Sequence, residues 1–91
     1  MTLPPLTALR AFDCAARHGS FTRAGQELGV TAAAVSLQVR ALEEHFGRQL
    51  FLRQGNRLTL TDAGRAIQPR VDLAFAELAS LAQDLGQAAG P

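Results

Sequence analysis

The sequence predicts a mainly α-helical domain in which three short helices are followed by a β-hairpin and a long final helix. Apolar residues recur at intervals of three and four in four segments, which is the helical period. Gly19, Gly29 and Gly47 each follow one of the first three segments, and glycine readily ends a helix. Residues 57–60 alternate polar and apolar side chains, as a strand does. The 91 residues suffice for one small domain.

Each of the first three helices has one apolar face. The first is expected over approximately residues 5–18. The second begins after a cap at Ser20 or Thr22, and the third extends from a cap at Thr31 to Gly47. The residues expected to be buried are Leu6, Leu9, Phe12 and Ala16 in the first helix, Phe21, Ala24 and Leu28 in the second, and Val35, Val39, Leu42 and Phe46 in the third.

A very short turn joins the second and third helices, so they must cross steeply. A steep crossing needs small residues where the helices touch, and Ala24 and Gly25 supply them. Glycine costs roughly 1 kcal/mol of helix propensity relative to alanine, so its use at position 25 indicates a close approach. Residues 21–40 are therefore predicted to form a helix-turn-helix. The alternative is an ordinary helical hairpin in a small bundle.

A β-hairpin is predicted over residues 50–60, with a three-residue turn at 54–56. Arg53 and Arg57 flank this turn and are expected to lie near each other across the strands. Because facing like charges destabilise a hairpin, a polyanion at the tip would remove the conflict. Such a wing completes a winged helix-turn-helix over residues 1–61. The alternative is a solvated hairpin with two splayed arginines.

The outward face of the third helix is unusually poor in charge for a surface that faces water. Alanines at its start permit close approach to another molecule, and Ser36 can donate or accept at a base edge. Leu37 is suited to contact a thymine methyl group, while Arg40 can reach bases or phosphates. The predicted DNA contacts of this helix are Thr31, Ala32, Ala33, Ser36, Leu37, Gln38 and Arg40. The alternative is that Ala33 and Leu37 cover another part of the protein.

The final helix is expected over residues 62–86, followed by a flexible end at 87–91. Its apolar residues are spaced four, three, four, three and four, which is the seam of a coiled coil. The seam consists of Ile67, Val71, Ala74, Leu78, Leu81 and Leu85. Because a helix projecting from a small domain cannot bury such a seam alone, a homodimer is predicted. The alternative is packing against the shorter first helix, and Pro69 is expected to kink the pattern.

Charge is divided unevenly along the chain. Residues 1–65 contain eight arginines and five acidic residues, whereas residues 66–91 contain one arginine and three acidic residues. All nine basic residues are arginine, whose planar donors suit phosphates and base edges.

Motifs for other functions are missing from the sequence. Its two histidines, His18 and His45, have no cysteine pair or carboxylate motif at metal spacing, and Cys14 has no recognisable histidine partner. No phosphate-binding loop, membrane span or signal peptide is recognisable. We therefore expect a cytoplasmic, non-enzymatic protein with no cofactor, no metal and no small-molecule site in these residues.

The run LTALRAFDCAARHGSFTRAGQELGVTAAAVSLQVRALEEHFGRQLFLRQGNRLTLTDAGR resembles the N-terminal DNA-binding domain of LysR-type transcriptional regulators. The SFTRA segment, the AVSxQ core of the third helix, the LExxFGxxLF exit and the LTxxG start of the linker helix match in order and spacing. The resemblance covers residues 3–66 closely. It is strongest to the branch that includes the glycine-cleavage activator and the β-lactamase regulator.

The resemblance implies a bacterial dimer that regulates transcription by binding an inverted-repeat operator. It implies phosphate contacts from Ser20 and Thr22, and wing contacts from Arg53, Arg57 and Thr59. This chain departs from the family pattern in three places: family members often have Gln-Pro where it has Ala32-Ala33, and they usually have a basic residue where it has Leu37 and Ala where it has Gly25. The resemblance also implies a linker helix at 62–86 and a larger C-terminal effector-binding domain, which the 91 residues do not include.

A different class of function is a winged-helix module that binds or pairs proteins without reading DNA. Salt dependence distinguishes the two, because binding that neutralises about six phosphates weakens roughly 10³-fold between 50 and 200 mM salt.

Overall fold

The computed structural model describes residues 3–55 and 57–89 and confirms the mainly helical fold with a hairpin wing. Three helices come first, then two strands and a long helix. Their bounds are α1 Leu6–His18, α2 Phe21–Leu28, α3 Ala32–Phe46, β1 Phe51–Gln54, β2 Arg57–Leu60 and α4 Asp62–Ala89. α3 packs against both α1 and α2, so one of its faces is left outside.

The turn between α2 and α3 is as tight as the sequence predicts. Gly29 adopts the left-handed conformation, with φ of 73°, and ends α2. The backbone N–H of Val30 then donates to the carbonyl of Gly25 at 2.9 Å. A Cβ atom at position 25 would lie 2.6 Å from the carbonyl oxygen of Val30, so a side chain there would push the turn outward. The predicted close approach at Gly25 is confirmed.

The core lies between α1, α3 and the start of β1. Its largest fully buried side chains are Phe12, Leu42, Leu50, Val35, Val39 and Cys14. The predicted burial of Leu6 and Phe46 is wrong, because their side chains are 60% and 43% exposed. Phe46 is the last residue of α3, and it lines an open groove with Leu6 of α1 and Phe75 of α4 instead of entering the core.

The hairpin register differs from the expectation in two ways. Gln54 pairs with Arg57, so Gln54 belongs to the strand and not to the predicted turn at 54–56. Asn56 lies outside the described residues. Arg53 pairs with Leu58, which places Arg53 and Arg57 on opposite faces because successive strand residues alternate in direction. The predicted clash between these arginines is therefore wrong.

α4 begins where the wing ends and is anchored there by Thr61. The Thr61 hydroxyl accepts from the N–H of Gly64 at 3.1 Å and donates to the carbonyl of Gln49 at 2.7 Å. A Cβ atom at Gly64 would overlap the carbonyl oxygen of Leu50. The lack of a side chain at position 64 therefore allows α4 to lie directly on the chain that leads into β1.

The apolar seam of α4 divides into two parts. Ile67 and Val71 are half-buried against the core. This part of the seam therefore follows the alternative prediction, in which the helix packs back onto the domain. The remaining four seam residues are exposed, and we call them the distal stripe: Ala74, Leu78, Leu81 and Leu85. Pro69 lies inside a helix that continues without interruption.

The end of α4 also differs from the expected division of the chain. The helix continues through residues 87–89, which the sequence placed in a flexible end, while Gly90 and Pro91 lie outside the described residues. Over residues 3–55 and 57–89, no helix combines the length and apolar character that crossing a membrane requires.

Candidate nucleic-acid interface

α3 has a buried face and an opposite face that points into solvent. Val35, Val39 and Leu42 are at most 1% exposed, so they fix which side of the helix faces the core. Leu37, on the opposite side, is 66% exposed, and Ala33 and Arg40 are exposed beside it. Within the described residues, nothing covers this side, so the alternative that Ala33 and Leu37 are packing residues does not hold.

The first turns of α2 and α3 are both capped by predicted contact residues. Ser20 accepts a hydrogen bond from the N–H of Arg23 at 3.1 Å, and Thr31 accepts one from Ala34 at 3.0 Å. A capped first turn still leaves N–H groups for an external acceptor, together with the positive end of the helix dipole. Thr22 is exposed, whereas Ala32 is half-buried and less accessible than predicted.

Gln38 and Arg40 do not lie together. Gln38 lines a cleft of about 290 Å³ beside Thr7 and Arg10 of α1. Arg40 lines a different cleft, of about 380 Å³, together with Phe21 and Arg53. Because successive helix residues are 100° apart, two positions on α3 can serve opposite flanks. The sequence placed Gln38 and Arg40 in one contact set, and the structure separates them.

Arg53 connects the hairpin to α3. Its Nη2 donates to the Oγ of Ser36 at 2.8 Å, and its Cζ lies 5.0 Å from the centre of the Phe21 ring. A cation over an aromatic face is attracted by the ring quadrupole. We call the surface formed by Ala33, Ser36, Leu37, Arg40 and Arg53 the reading face.

The sequence pattern does not indicate the contact between Arg53 and Ser36. It predicts Phe21 only as a core residue, whereas Phe21 is half-buried and supports the guanidinium. One signal in the sequence could have revealed the contact. If the strands are paired across a two-residue turn, Arg53 shares a face with the apolar Phe51 and Leu58, and this face points toward the domain.

Arg57 and Thr59 occupy the other side of the hairpin. Both are exposed, and the register places Thr59 opposite Leu52 and Arg57 opposite Gln54. The structure therefore does not bring these two predicted wing residues together with Arg53. They share this side with the exposed Leu52 and Gln54.

The arginines near the reading face take part in no ion pair among the described residues, although Glu43 lines the same cleft as Arg40 and Arg53. Among the described residues, the arginines in ion pairs are Arg17, with Asp13 and Glu27, and Arg65, with Asp62. Arg40, Arg53 and Arg57 take part in none of these pairs. Arginines without a carboxylate partner remain available for phosphate.

An acidic residue limits the reading face at one end. Glu44 is exposed and lies four residues after Arg40, which places it on the same outward side of α3. The helical spacing in the sequence is sufficient to place Glu44 on this side, although it is not among the predicted contact residues. A carboxylate here would repel phosphate, so we expect the N-terminal half of α3 to make the contacts.

Three potential metal ligands come together at the junction of α1 and α2, although the sequence showed no such spacing. The donor atoms of Cys14, His18 and Glu27 lie within 4.8 Å of one another. The Glu27 carboxylate is already bound by Arg17 Nη2 at 3.0 Å and by His18 Nε2 at 2.9 Å. The hydrogen bonds from Arg17 and then His18 lower the pKa of Glu27 to about 2.

Burial raises the pKa of the Cys14 thiol, which disfavours the thiolate that a metal needs. The cluster therefore acts as a polar clamp between the two helices.

Curated relatives share most of this chain. It is 57% identical over 79 residues to the HTH-type transcriptional activator AmpR of Providencia stuartii, an alignment that covers 87% of this chain and 27% of that protein. It is 48% identical over 83 residues to the glycine cleavage system transcriptional activator of Escherichia coli K12, covering 91% of this chain and 27% of that protein. The chain thus spans about a quarter of the length of these regulators.

A solved structure and a family model agree with these relatives. The structure is the BenM DBD/catB site 1 DNA complex, which matches with a TM-score of 0.85 and 25% identity over 96% of this chain and 99% of that one. The model of the bacterial regulatory helix-turn-helix proteins of the lysR family matches residues 6–65. The chain described here belongs to the lysR family of bacterial regulatory helix-turn-helix proteins.

Proposed function

We propose that this chain is the DNA-binding part of a bacterial transcription regulator and that it recognises a specific duplex site as a homodimer. One observation carries the proposal: the N-terminal half of α3 exposes Leu37 and Ala33 beside Arg40 and Arg53, neither of which is in an ion pair among the described residues. A short apolar surface edged by arginines fits a major groove, where methyl groups and acceptors lie between two rows of phosphates.

Each part of the surface has a role in this proposal. Leu37 and Ala33 contact thymine methyl groups or permit close approach, and Ser36 reads a base edge. The capped first turns at Ser20 and Thr31 direct N–H groups to phosphates. On the other side of the hairpin, Arg57 and Thr59 meet the adjacent backbone or minor groove.

The relatives support the proposal by what their names state. AmpR and the glycine cleavage system regulator are transcriptional activators, and the BenM domain was solved with DNA. The complete regulator and its inducer-dependent activity are part of the proposal, since this chain spans 27% of each relative. We further propose that it works in the cytoplasm, where bacterial DNA lies, and that it binds without catalysis, metal or cofactor.

The distal stripe is proposed to pair two copies of the chain. Leu78, Leu81 and Leu85 are 44%, 52% and 62% exposed. The stripe is continuous with an apolar groove of about 480 Å³ that Leu6 and Phe46 also line. A second copy of α4 fits the stripe because both helices then bury the same four-three spacing. The pairing also sets the distance between two recognition helices, and hence between two half-sites.

Selection of bound duplexes from a random pool tests the proposal. We expect recovery of a two-fold symmetric site whose affinity falls steeply with salt. Recovery of no enriched sequence, or binding that does not respond to salt, would contradict DNA recognition and favour the protein-interaction module instead.

A further inference from the structure

We propose that Arg53 fixes the hydrogen-bonding direction of Ser36, so that Ser36 meets DNA as a donor and selects a base edge that offers an acceptor. This inference rests on the proposed function and adds which chemical edge the residue recognises. The observation behind it is the hydrogen bond of 2.8 Å from Arg53 Nη2 to Ser36 Oγ.

Aromatic side chains that reach the core support the Arg53 guanidinium. Its Cζ is 5.0 Å from the centre of the Phe21 ring. Phe21 packs edge-on against Phe51 at 5.9 Å, and Phe51 packs against the fully buried Phe12 at 5.4 Å. The exposed Arg53 guanidinium therefore lies on a row of aromatic side chains that reaches the core, and this contact favours the position from which it donates to Ser36.

The chemistry of the two groups sets the direction of the bond. A guanidinium has five N–H donors and no acceptor, whereas a hydroxyl has one donor and two lone pairs. Ser36 must therefore accept from Arg53, and its proton is directed elsewhere. A helical serine often donates to the carbonyl four residues earlier, but the hydrogen bonds found among the described residues include none from Ser36 to Ala32. The proton of Ser36 thus remains available to an external acceptor.

A hydroxyl oriented in this way distinguishes base edges in the major groove. Guanine offers N7 and O6, adenine offers N7, and thymine offers O4 as acceptors. The amino groups of cytosine N4 and adenine N6 are donors and would face the Ser36 proton. The positive charge of Arg53 also strengthens the hydrogen bond that the hydroxyl donates, because donors and acceptors in a chain polarise one another.

Arg57 provides a matched control for Arg53. It is another exposed arginine of the same hairpin, but its register position lies on the opposite face, away from Ser36. Removing Arg57 takes away the same charge without touching the hydroxyl. A difference between the two variants in base preference, as opposed to overall affinity, then reports the Arg53–Ser36 contact.

The experiment uses the site recovered by selection. Comparing the parent with Ser36→Ala identifies the base pair whose preference depends on the hydroxyl. Duplexes with each of the four base pairs at this position, and one with 7-deazaguanine in place of guanine, are then titrated at constant salt. The parent is expected to favour the acceptor edge roughly 2- to 10-fold, the range that one neutral hydrogen bond contributes.

The variants give distinct expected results. Arg53→Ala should weaken binding and bring the ratio of affinities for the acceptor-edge and donor-edge duplexes close to one, because the hydroxyl is then free to donate or to accept. Arg53→Gln, whose shorter side chain carries no charge and has an acceptor of its own, should also relax the preference and serves if the alanine variant unfolds. Arg57→Ala should weaken binding but retain the parent's preference. Combining Arg53→Ala with Ser36→Ala should give no further loss of preference beyond Ser36→Ala alone.

Two results would overturn the inference alone. One is an Arg53→Ala or Arg53→Gln protein that folds, as judged by its thermal unfolding, and retains the same base preference as Arg57→Ala. The other is a parent that prefers a donor edge at the position identified through Ser36. In both cases DNA recognition itself would stand. A parent that enriches no duplex at all would overturn the proposed function together with this inference.

Discussion

The reading face and the distal stripe both expose leucine, but the two surfaces differ in what surrounds it. Leu37 is 66% exposed and stands alone among Ser36, Arg40 and Arg53. Leu81 is 52% exposed and belongs to a row that extends from Ala74 to Leu85, a distance of about 16 Å along a helix.

The surroundings indicate the partner that each surface prefers. An isolated apolar side chain among donors complements a ligand that is mostly polar and negative, with a few methyl groups, as a DNA groove is. A continuous apolar row gains most from another apolar row, at roughly 25 cal/mol for each Å² removed from water. Exposure alone does not distinguish the two; the neighbouring polar groups do.

The largest effect is expected from charging the distal stripe. Replacing Leu78 and Leu81 by Asp should convert the proposed dimer to a monomer, because two carboxylates cannot be buried between paired helices. Specific affinity should fall on the order of 10²-fold or more, since the two half-sites are no longer bound together. Sedimentation velocity and binding to the full site measure both effects.

Leu73→Asp is the control for the stripe variant. Leu73 is 70% exposed on the same helix but lies outside the four-three spacing. It should leave the protein dimeric. A Leu78→Asp, Leu81→Asp protein that stays dimeric, or a Leu73→Asp protein that dissociates, would show that the stripe is not the pairing surface.

The second effect is a change in sequence preference at the reading face. Leu37→Arg introduces a bidentate donor where base edges are read, and one such pair discriminates by about 1–3 kcal/mol, or about 5- to 150-fold. Repeating the selection should recover a site with guanine at a new position. Glu44→Gln, on the same side of α3, is the control and should instead raise the affinity for every duplex. If Leu37→Arg selects the same DNA sequence as the parent, residue 37 does not contact the groove.

A smaller effect is expected from the outer side of the hairpin. Arg57→Ala should lower affinity by a similar factor for all duplexes and reduce the slope of log affinity against log salt by about 0.9, the value for one phosphate contact. If the salt titration of Arg57→Ala has the same slope as that of the parent, Arg57 does not contact a phosphate.

The smallest effect on DNA binding is expected at the clamp between α1 and α2, which belongs to neither surface. Hydrogen bonds from Arg17 and His18 hold the pKa of Glu27 at about 2, below the ordinary 4.5. The stability that this carboxylate contributes is therefore fully present above about pH 4.5 and is lost as the pH falls toward 2. Glu27→Gln should remove this acid-dependent loss in urea unfolding and leave operator preference unchanged.

Asp13 should give the opposite pH dependence of stability to Glu27. Burial, and then the charge of Asp72, raise the pKa of Asp13 above its ordinary value. The folded state therefore binds its proton more readily than the unfolded state, and the associated stability is lost as the pH rises through the raised pKa. Asp13→Asn should remove that loss. Variants whose acid-range slopes change in the same direction would contradict one of the two assignments.

Features that depend on neighbours along the chain were predictable from the sequence. The ends of the first three helices, the cap at Thr31 and the close approach at Gly25 follow from glycine positions, cap residues and helical spacing. These features are local because a cap or a periodic face depends on residues within about one turn. The same spacing identified the exposed side of α3, since Val35, Val39 and Leu42 mark its buried side.

The tertiary structure alone decided which side chains from separate elements meet. The two-residue hairpin connection places Arg53 toward Ser36 and Arg57 away from it, because a shift of one residue in a strand exchanges its two faces. The tertiary structure also divides the seam of α4. Ile67 and Val71 pack against the core, whereas the seam residues after them are exposed because α4 continues beyond the helices and strands that could cover it. Periodicity defines a face, but burial depends on what the rest of the chain brings against it.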